Sequence, residues 1–380
     1  MVTVRFIHSS DWQLGITRDY LTQEAQARFA QARLDAVRAI GRIAEDERCE
    51  FVVVCGDVFE TNHVERQTVN RALDALAAVP VPVYLLPGNH DPLEAATVFR
   101  SPTFAERRPP HVHVIEDSHP IAVRPGVELI GAPWTSKRPL RDLVAAACAD
   151  LEPAAGTIRI AVAHGAVGTL SPDRENPALI GLEAAEAALA AGKIHYLALG
   201  DRHSLTRVGT TDRIWYAGTP EPTDYVEDNP GHVLIVEAGP DTISVTPRRV
   251  STWRYLLRER VDLNAETDLD ALENWMEAIE AKDRTIVKLG LVGTIPLRLK
   301  ARLDRFLEES RDLFGAIEIW GRASELAVVP DDEDFSGIDL SGFAAAALAR
   351  LRERTGAPGD DAIVARDALS LLVRLSGRAA

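Results

Sequence analysis

Acids, amides and imidazoles able to grip divalent cations recur in this 380-residue chain at the ends of short apolar runs. Asp11 follows Val4-Arg-Phe-Ile-His8, Asp57 follows Phe51-Val-Val-Val-Cys-Gly56, and Asn89 and His90 follow Val81-Pro-Val-Tyr-Leu-Leu86. His164 follows Ile158-Arg-Ile-Ala-Val-Ala163, and Asp201 and His203 follow Tyr196-Leu-Ala-Leu-Gly200. Carboxylate and amide oxygens suit hard divalent ions, whereas imidazole suits Mn, Fe or Zn. A carboxylate shared by two ions about 3.5–4 Å apart lets them activate water for in-line attack at phosphorus while neutralising the phosphate oxygens. Asp57 is the expected bridge. Asn89 would ligate through its amide oxygen, while the adjacent His90 faces substrate and donates a proton or stabilises charge. Any one of these acids taken alone is equally well a cap on the next helix. Their repetition at successive strand ends carries the reading.

The elements that must position them follow from the same runs. The apolar β-formers around Asp57 are too few for a helix core and suit a strand covered on both faces. The glycine that follows permits a tight turn, and acids at the C-terminal ends of such strands face the ligand crevice. Between the strands, spacing predicts a long amphipathic helix from about Thr22 to Glu47, a helix from about Val64 to Ala78, and others near Leu140 to Ala149 and Leu182 to Ala191. Strands near 213–216, 232–236 and 242–245 would complete a second sheet. The alternation predicts a layered α/β fold. Around residue 250 the texture changes. Charged helices at about Asp268 to Ala281 and Pro296 to Glu309, flanked by Thr285–Leu289 and Ala316–Trp320, predict a small two-strand, two-helix α+β domain. Beyond Pro330 an acidic linker, Asp331-Asp332-Glu333-Asp334, leads to two predicted helices, Leu340 to Arg354 and Asp361 to Leu375. The expected domains are therefore 1–250, 251–330 and 331–380.

Composition limits the function. Hydrophobic residues at 46% and charged residues at 26% are those of an ordinary globular protein. The formal charge of −15 argues against broad, non-specific attraction to nucleic acid or anionic membrane, although metal ions could still recruit phosphate locally. Cys49, Cys55 and Cys148 have no zinc-type spacing and are expected to be reduced thiols. The absence of a signal-like start or a long apolar segment leads to the expectation of a cytoplasmic protein without a membrane span.

Ser10-Asp11-Trp-Gln13-Leu-Gly15, Gly56-Asp57-Val-Phe-Glu60, Gly88-Asn89-His90-Asp91, Ala163-His164-Gly165 and Gly200-Asp-Arg-His203 stand in the order of the calcineurin-like metallophosphoesterase motifs. Within that superfamily the chain resembles the SbcD-type DNA-repair exonucleases, the bacterial relatives of the double-strand-break-repair nuclease. The resemblance implies a four-layer α/β/β/α sandwich followed by a small α+β cap and a helical C-terminal tail. It implies two divalent ions per chain, Mn²⁺ foremost, with Mg²⁺, Fe or Zn²⁺ as alternatives. The first ion would be held by Asp11, Asp57 and His203, the second by Asp57, Asn89 and His164, and His90 would be the catalytic histidine. It further implies DNA as substrate, an SMC-like coiled-coil ATPase of the SbcC type as partner, and pairing of two subunits through helices of the first domain.

Two positions depart from the family pattern. Gln13 stands where Asp-x-His is usual, and Asp201 where Gly-His-x-His is usual. Asp201 replaces imidazole with an oxygen ligand and favours a hard ion, while the Gln13 amide is a poorer ligand than imidazole. A small-molecule phosphodiesterase or phosphatase, or a weakened subunit that binds DNA or an ATPase, therefore remains an alternative to the DNA nuclease. His63 and Arg202 are candidate phosphate contacts, with ordinary surface charge as the alternative reading of each. His8 is expected to be a hydrogen-bonded structural residue and Trp12 a packing residue.

Overall fold

Phe51, Val53 and Cys55 point to one side of their strand and Val52 and Val54 to the other, yet all five are buried. A strand covered on both faces requires a layer on each side, and the computed structural model supplies both. It describes residues 2–329, 342–355, 364–365, 368 and 372. The chain divides into two compact units, Met1–Asp19 with Gln26–Trp253, and Tyr20–Ala25 with Arg254–Ala380.

In the first unit, strands β1 (Val4–Ser9), β2 (Val52–Cys55), β3 (Val83–Leu86), β4 (Val112–Val114), β5 (Ile121–Arg124), β6 (Val127–Ala132), β7 (Ile158–His164), β8 (Tyr196–Gly200), β9 (Thr206–Val208), β10 (Ile214–Tyr216), β11 (His232–Ala238) and β12 (Ile243–Arg249) form two sheets. Their orders are β12-β11-β1-β2-β3-β4 and β5-β6-β7-β8-β10-β9. β1 to β4 run parallel, as do β6, β7, β8 and β10, so chemistry-bearing strand ends gather on one edge of each sheet.

The alternation in β2 sorts residues between layers. Phe6, Phe51, Val53 and Leu86 meet Ile160, Val162 and Tyr196 between the sheets, with the Phe6 and Phe51 rings stacked at 5.0 Å. Ile7, Val52, Val54 and Leu85 turn outward onto helices α1 (Gln23–Asp46) and α2 (Arg66–Ala77), through Leu34, Val37, Ile40, Val69 and Leu73. After the short helix α3 (Pro102–Arg107), helices α4 (Leu143–Cys148) and α5 (Leu182–Ala190) cover the outer face of the second sheet through Val144, Ala185 and Leu189. The result is the helix–sheet–sheet–helix sandwich that the motifs imply. The expected structural roles of His8 and Trp12 are also seen. His8 is buried, and the Trp12 indole N–H donates to Ser9 Oγ at 2.8 Å.

The second unit holds a four-stranded sheet of β13 (Arg254–Leu263), β14 (Thr285–Pro296), β15 (Ala316–Ile319) and β16 (Glu325–Val329). Helices α6 (Glu266–Glu277) and α7 (Leu297–Arg311) join its core. The expectation of two strands is therefore too low. β14 is long enough to pair β15 along its first half and β16 along its second. β13 carries charged residues at Arg254, Arg258, Glu259 and Arg260, which hide the strand pattern. Helix α8 (Gly342–Thr355) falls where the first C-terminal helix is expected. The acidic linker and most of the second expected helix lie outside the described residues. Among the described residues no helix is long and apolar enough to cross a membrane.

Candidate metal centre

The centre is built at the C-terminal ends of β1, β2 and β3 in one sheet and β7 and β8 in the other. Close backbone approach brings the two sets together. A Cβ on Gly200 would fall 1.8 Å from the Cys55 carbonyl oxygen, and one on Gly56, which has φ +84°, would fall 2.1 Å from His164 Nδ1. Only glycine fits at either place. The ligand loops are tightly wound. Asp11, Gln13, Asp57 and Asp201 all have positive φ, a backbone region that non-glycine residues occupy at a cost and mainly where surrounding structure enforces it. Enforcement comes from the Asp11 N–H donating to Gly56 O at 3.1 Å and the Gln13 N–H to Asp57 O at 2.9 Å. The Asp201 N–H donates to the Asp11 carboxylate at 3.0 Å, tying one sheet's loop to the other's.

The side chains then converge. His164 Nδ1 donates to Cys55 O at 2.8 Å, which turns Nε2 toward the other ligands. That Nε2 lies 2.6 Å from Asn89 Oδ1, 3.4 Å from Asp57 Oδ1 and 3.8 Å from Asp201 Oδ1. Asp11, Asp57 and His164 each offer a ligand atom within 4.8 Å of the others. His203 reaches the same region from the other side, its Nε2 3.1 Å from Gln13 Nε2. Its Nδ1 lies 2.8 Å from Thr223 Oγ1 and 2.9 Å from Glu227 Oε1.

Electrostatics supports a cation here. Burial, and then the charge of Asp57, push the Asp11 carboxyl upward, and burial does the same to Asp201. Burial alone would lower His164, but the carboxylates of Asp57, Asp11 and Asp201 overcome it and raise the imidazole to about 9. Without a metal, the cluster therefore captures a proton on an imidazole to offset its negative charge. A divalent ion would supply that positive charge directly, and the carboxylate, amide and imidazole donors gathered here fit one.

His90 stands at the mouth. Its N–H donates to Asp57 Oδ1 at 2.9 Å, its Nδ1 lies 2.9 Å from Glu60 O, and its Nε2 is 4.0 Å from Asp57 Oδ2. Below it, the buried Asp91 accepts from the Gly88 N–H at 2.8 Å and the Phe59 N–H at 2.9 Å, fastening the loop that carries Asn89 and His90 to the loop after β2. A cleft of about 550 Å³ opens over these groups, lined by Gln13, Asp57, Asn89, His90, Asp201 and His203, with Arg18 and Arg202 as its cations. Asp11 and His164 lie beneath its floor, buried. His63 is exposed and does not line the cleft. Arg18, Thr223 and Glu227 line it too, and sequence reasoning passes over them. They stand in loops away from the strand ends, so neither residue type nor spacing marks them. Glu60 closes a quoted motif and also lines the cleft, but sequence alone assigns it no task.

The pattern of the calcineurin-like phosphoesterase family matches residues 4–205, which is 202 of the 380 residues and more than half the chain. The chain belongs to that family. A divalent-metal phosphoester hydrolase is what the family and the site together define. Among solved structures, the chain is similar to TT1561 of Thermus thermophilus, at 8% identity and a TM-score of 0.40, over 66% of this chain and 100% of that one. It is also similar to a dimetal phosphatase from Danio rerio, at 14% identity and a TM-score of 0.39, over 64% and 98%. A third is GAP50, the anchor in the inner membrane complex of Plasmodium, at 12% identity and a TM-score of 0.40, over 65% and 85%.

Proposed function

We propose that the chain is a two-metal phosphodiesterase that hydrolyses DNA in repair, as an exonuclease or endonuclease. The observation that carries the phosphodiester reading is the meeting of Asn89, Asp57 and Asp201 oxygens around His164 Nε2, beside a His90 ring held at the cleft mouth. Asp57, Asn89, His164 and Asp201 would hold one ion, and Asp11, Asp57, Gln13 and His203 the other, with Mn²⁺ favoured. Such ions activate water and neutralise charge on phosphoryl oxygens. The protein groups do the rest. Asp57 orients His90 through the backbone N–H, His90 in its doubly protonated form keeps Nδ1–H on Glu60 O and donates the Nε2 proton to the leaving oxygen, and Arg18 and Arg202 receive neighbouring phosphates. The resemblance to SbcD-type nucleases supports DNA as the substrate, while the metal motifs themselves are common to small-molecule phosphoesterases. That reading brings with it an SbcC-type ATPase partner, a homodimer and a cytoplasmic location.

The test is degradation of end-labelled single- and double-stranded DNA in Mn²⁺, Mg²⁺ and chelator, with Asp57→Asn beside the wild type. Mn²⁺-dependent shortening absent from the variant is expected. Loss of DNA cleavage with retained turnover of p-nitrophenyl phosphate esters would replace DNA with a small-molecule substrate. The −15 charge and the acids Glu60, Asp224 and Glu227 around the cleft favour that second reading.

A further inference from the structure

Glu227 has a place in this centre that no motif assigns. Its side chain is 4% exposed, and its carboxylate accepts from the Thr223 N–H at 2.9 Å and from the Thr223 hydroxyl. An ionised carboxylate has no proton to give, and Thr223 has committed its own to Glu227. In the neutral ring of His203, Nδ1 must therefore be the donor to this pair, 2.9 Å from Glu227 and 2.8 Å from Thr223. The lone pair is left on Nε2, where the Gln13 amide N–H₂ caps it at 3.1 Å.

We propose that Glu227 is a positioning residue that fixes the tautomer and plane of His203, so that Nε2 presents a lone pair, and not a proton, on the Gln13 side of the metal centre. Without Glu227 the Thr223 hydroxyl is released to donate to Nδ1. The ring can then carry its proton on Nε2, the form that cannot ligate. A carboxylate behind a metal-binding histidine typically changes metal affinity by about 10–100-fold. The proposal rests on the metal-centre reading but is independent of the substrate.

The test uses the full chain with ¹⁵N-labelled histidine, free of metal and with the ring neutral, the His203 signals being assigned by their loss in His203→Ala. Wild type is expected to show the Nδ1–H form, and Glu227→Ala a mixture. Calorimetric titration with Mn²⁺ is expected to show one binding event weakened about 10–100-fold in Glu227→Ala. Glu227→Gln, which keeps an acceptor oxygen, should recover most of both properties and stands in if the alanine variant does not fold. Thr223→Val should keep the wild-type tautomer. An unchanged tautomer and affinity in Glu227→Ala, or loss of the tautomer in Thr223→Val alone, would overturn the assignment. If wild type takes up no Mn²⁺, the metal-centre reading falls, while the tautomer signal still decides the role of Glu227.

Discussion

His90 Nδ1 lies 2.9 Å from the carbonyl oxygen of Glu60, so in the neutral ring Nδ1 carries the proton and Nε2 is turned toward Asp57 and the cleft. The ring is oriented by backbone, and its side chain is 37% exposed. Removing it should therefore cost chemistry and leave the fold alone. His90→Ala is expected to lower kcat by about 10²–10⁴-fold, with Mn²⁺ uptake and thermal midpoint close to wild type. A variant with undiminished kcat would take His90 out of the proposed mechanism.

Asp57→Asn separates catalysis from stability. The asparagine oxygen can still accept from the His90 N–H, but the negative charge that raises Asp11, Asp91 and Asp201 is gone. Cleavage should be abolished, while the metal-free protein stays within about 1 kcal/mol of wild type or becomes more stable. Saturating Mn²⁺ should raise the wild-type melting temperature, since a ligand of the native state stabilises it, and should raise the variant's far less. Equal Mn²⁺-induced shifts in the two proteins would remove Asp57 from the ligand set.

Gly200→Ala tests the contact between the sheets. The added methyl would lie 1.8 Å from Cys55 O and 2.8 Å from the Ser10 Cβ, atoms of backbone and short side chain that cannot swing away. A loss of about 3 kcal/mol or more is expected in urea unfolding, or failure to accumulate folded protein. Gly321→Ala, where nothing lies within 4 Å, should change stability by about 0.5 kcal/mol at most. Similar midpoints for the two variants would contradict the close approach.

His8 gives stability a pH dependence of known sign. Burial lowers its pKa to about 3, with Nε2 placed on Leu199 O and Nδ1 on the Tyr196 hydroxyl, each at 3.1 Å. The unfolded chain binds this proton near pH 6.5 and the native state resists it until about pH 3. The contribution of His8 is thus complete above pH 6.5 and is lost as pH falls toward 3. His8→Gln keeps a donor and an acceptor but does not titrate. Its stability-against-pH slope in that window should be shallower by about one proton, or about 1.4 kcal/mol per pH unit. Equal slopes would show that His8 is not held neutral.

Asp11, Asp57, Asn89, His164 and His203 are legible in the sequence because each ends an apolar run, and parallel strands bring such ends to one edge. The unbroken apolar run at 51–55 likewise announces a strand covered on both faces. Glu227 and Arg18 are not legible, since they reach the cleft from loops whose return depends on tertiary contacts such as the Arg33 guanidinium on Glu221 O and Pro222 O. β13 escapes for a different reason. Its exposed Arg258, Glu259 and Arg260 break the apolar alternation by which a half-buried strand is recognised.

Face-to-face sheets ordinarily stand about 10 Å apart, and the stacked Phe6 and Phe51 with Tyr196 fill such a gap here. At Gly200 and Cys55 the same two sheets meet backbone to backbone. The sandwich is therefore a wedge, with aromatic rings in its broad part and the Asp and His residues at its apex. Ligand spacing is then governed by the angle of that wedge as well as by side-chain rotamers. The glycines at the apex permit that approach, and a side chain on either one would press the two sets of ligands apart.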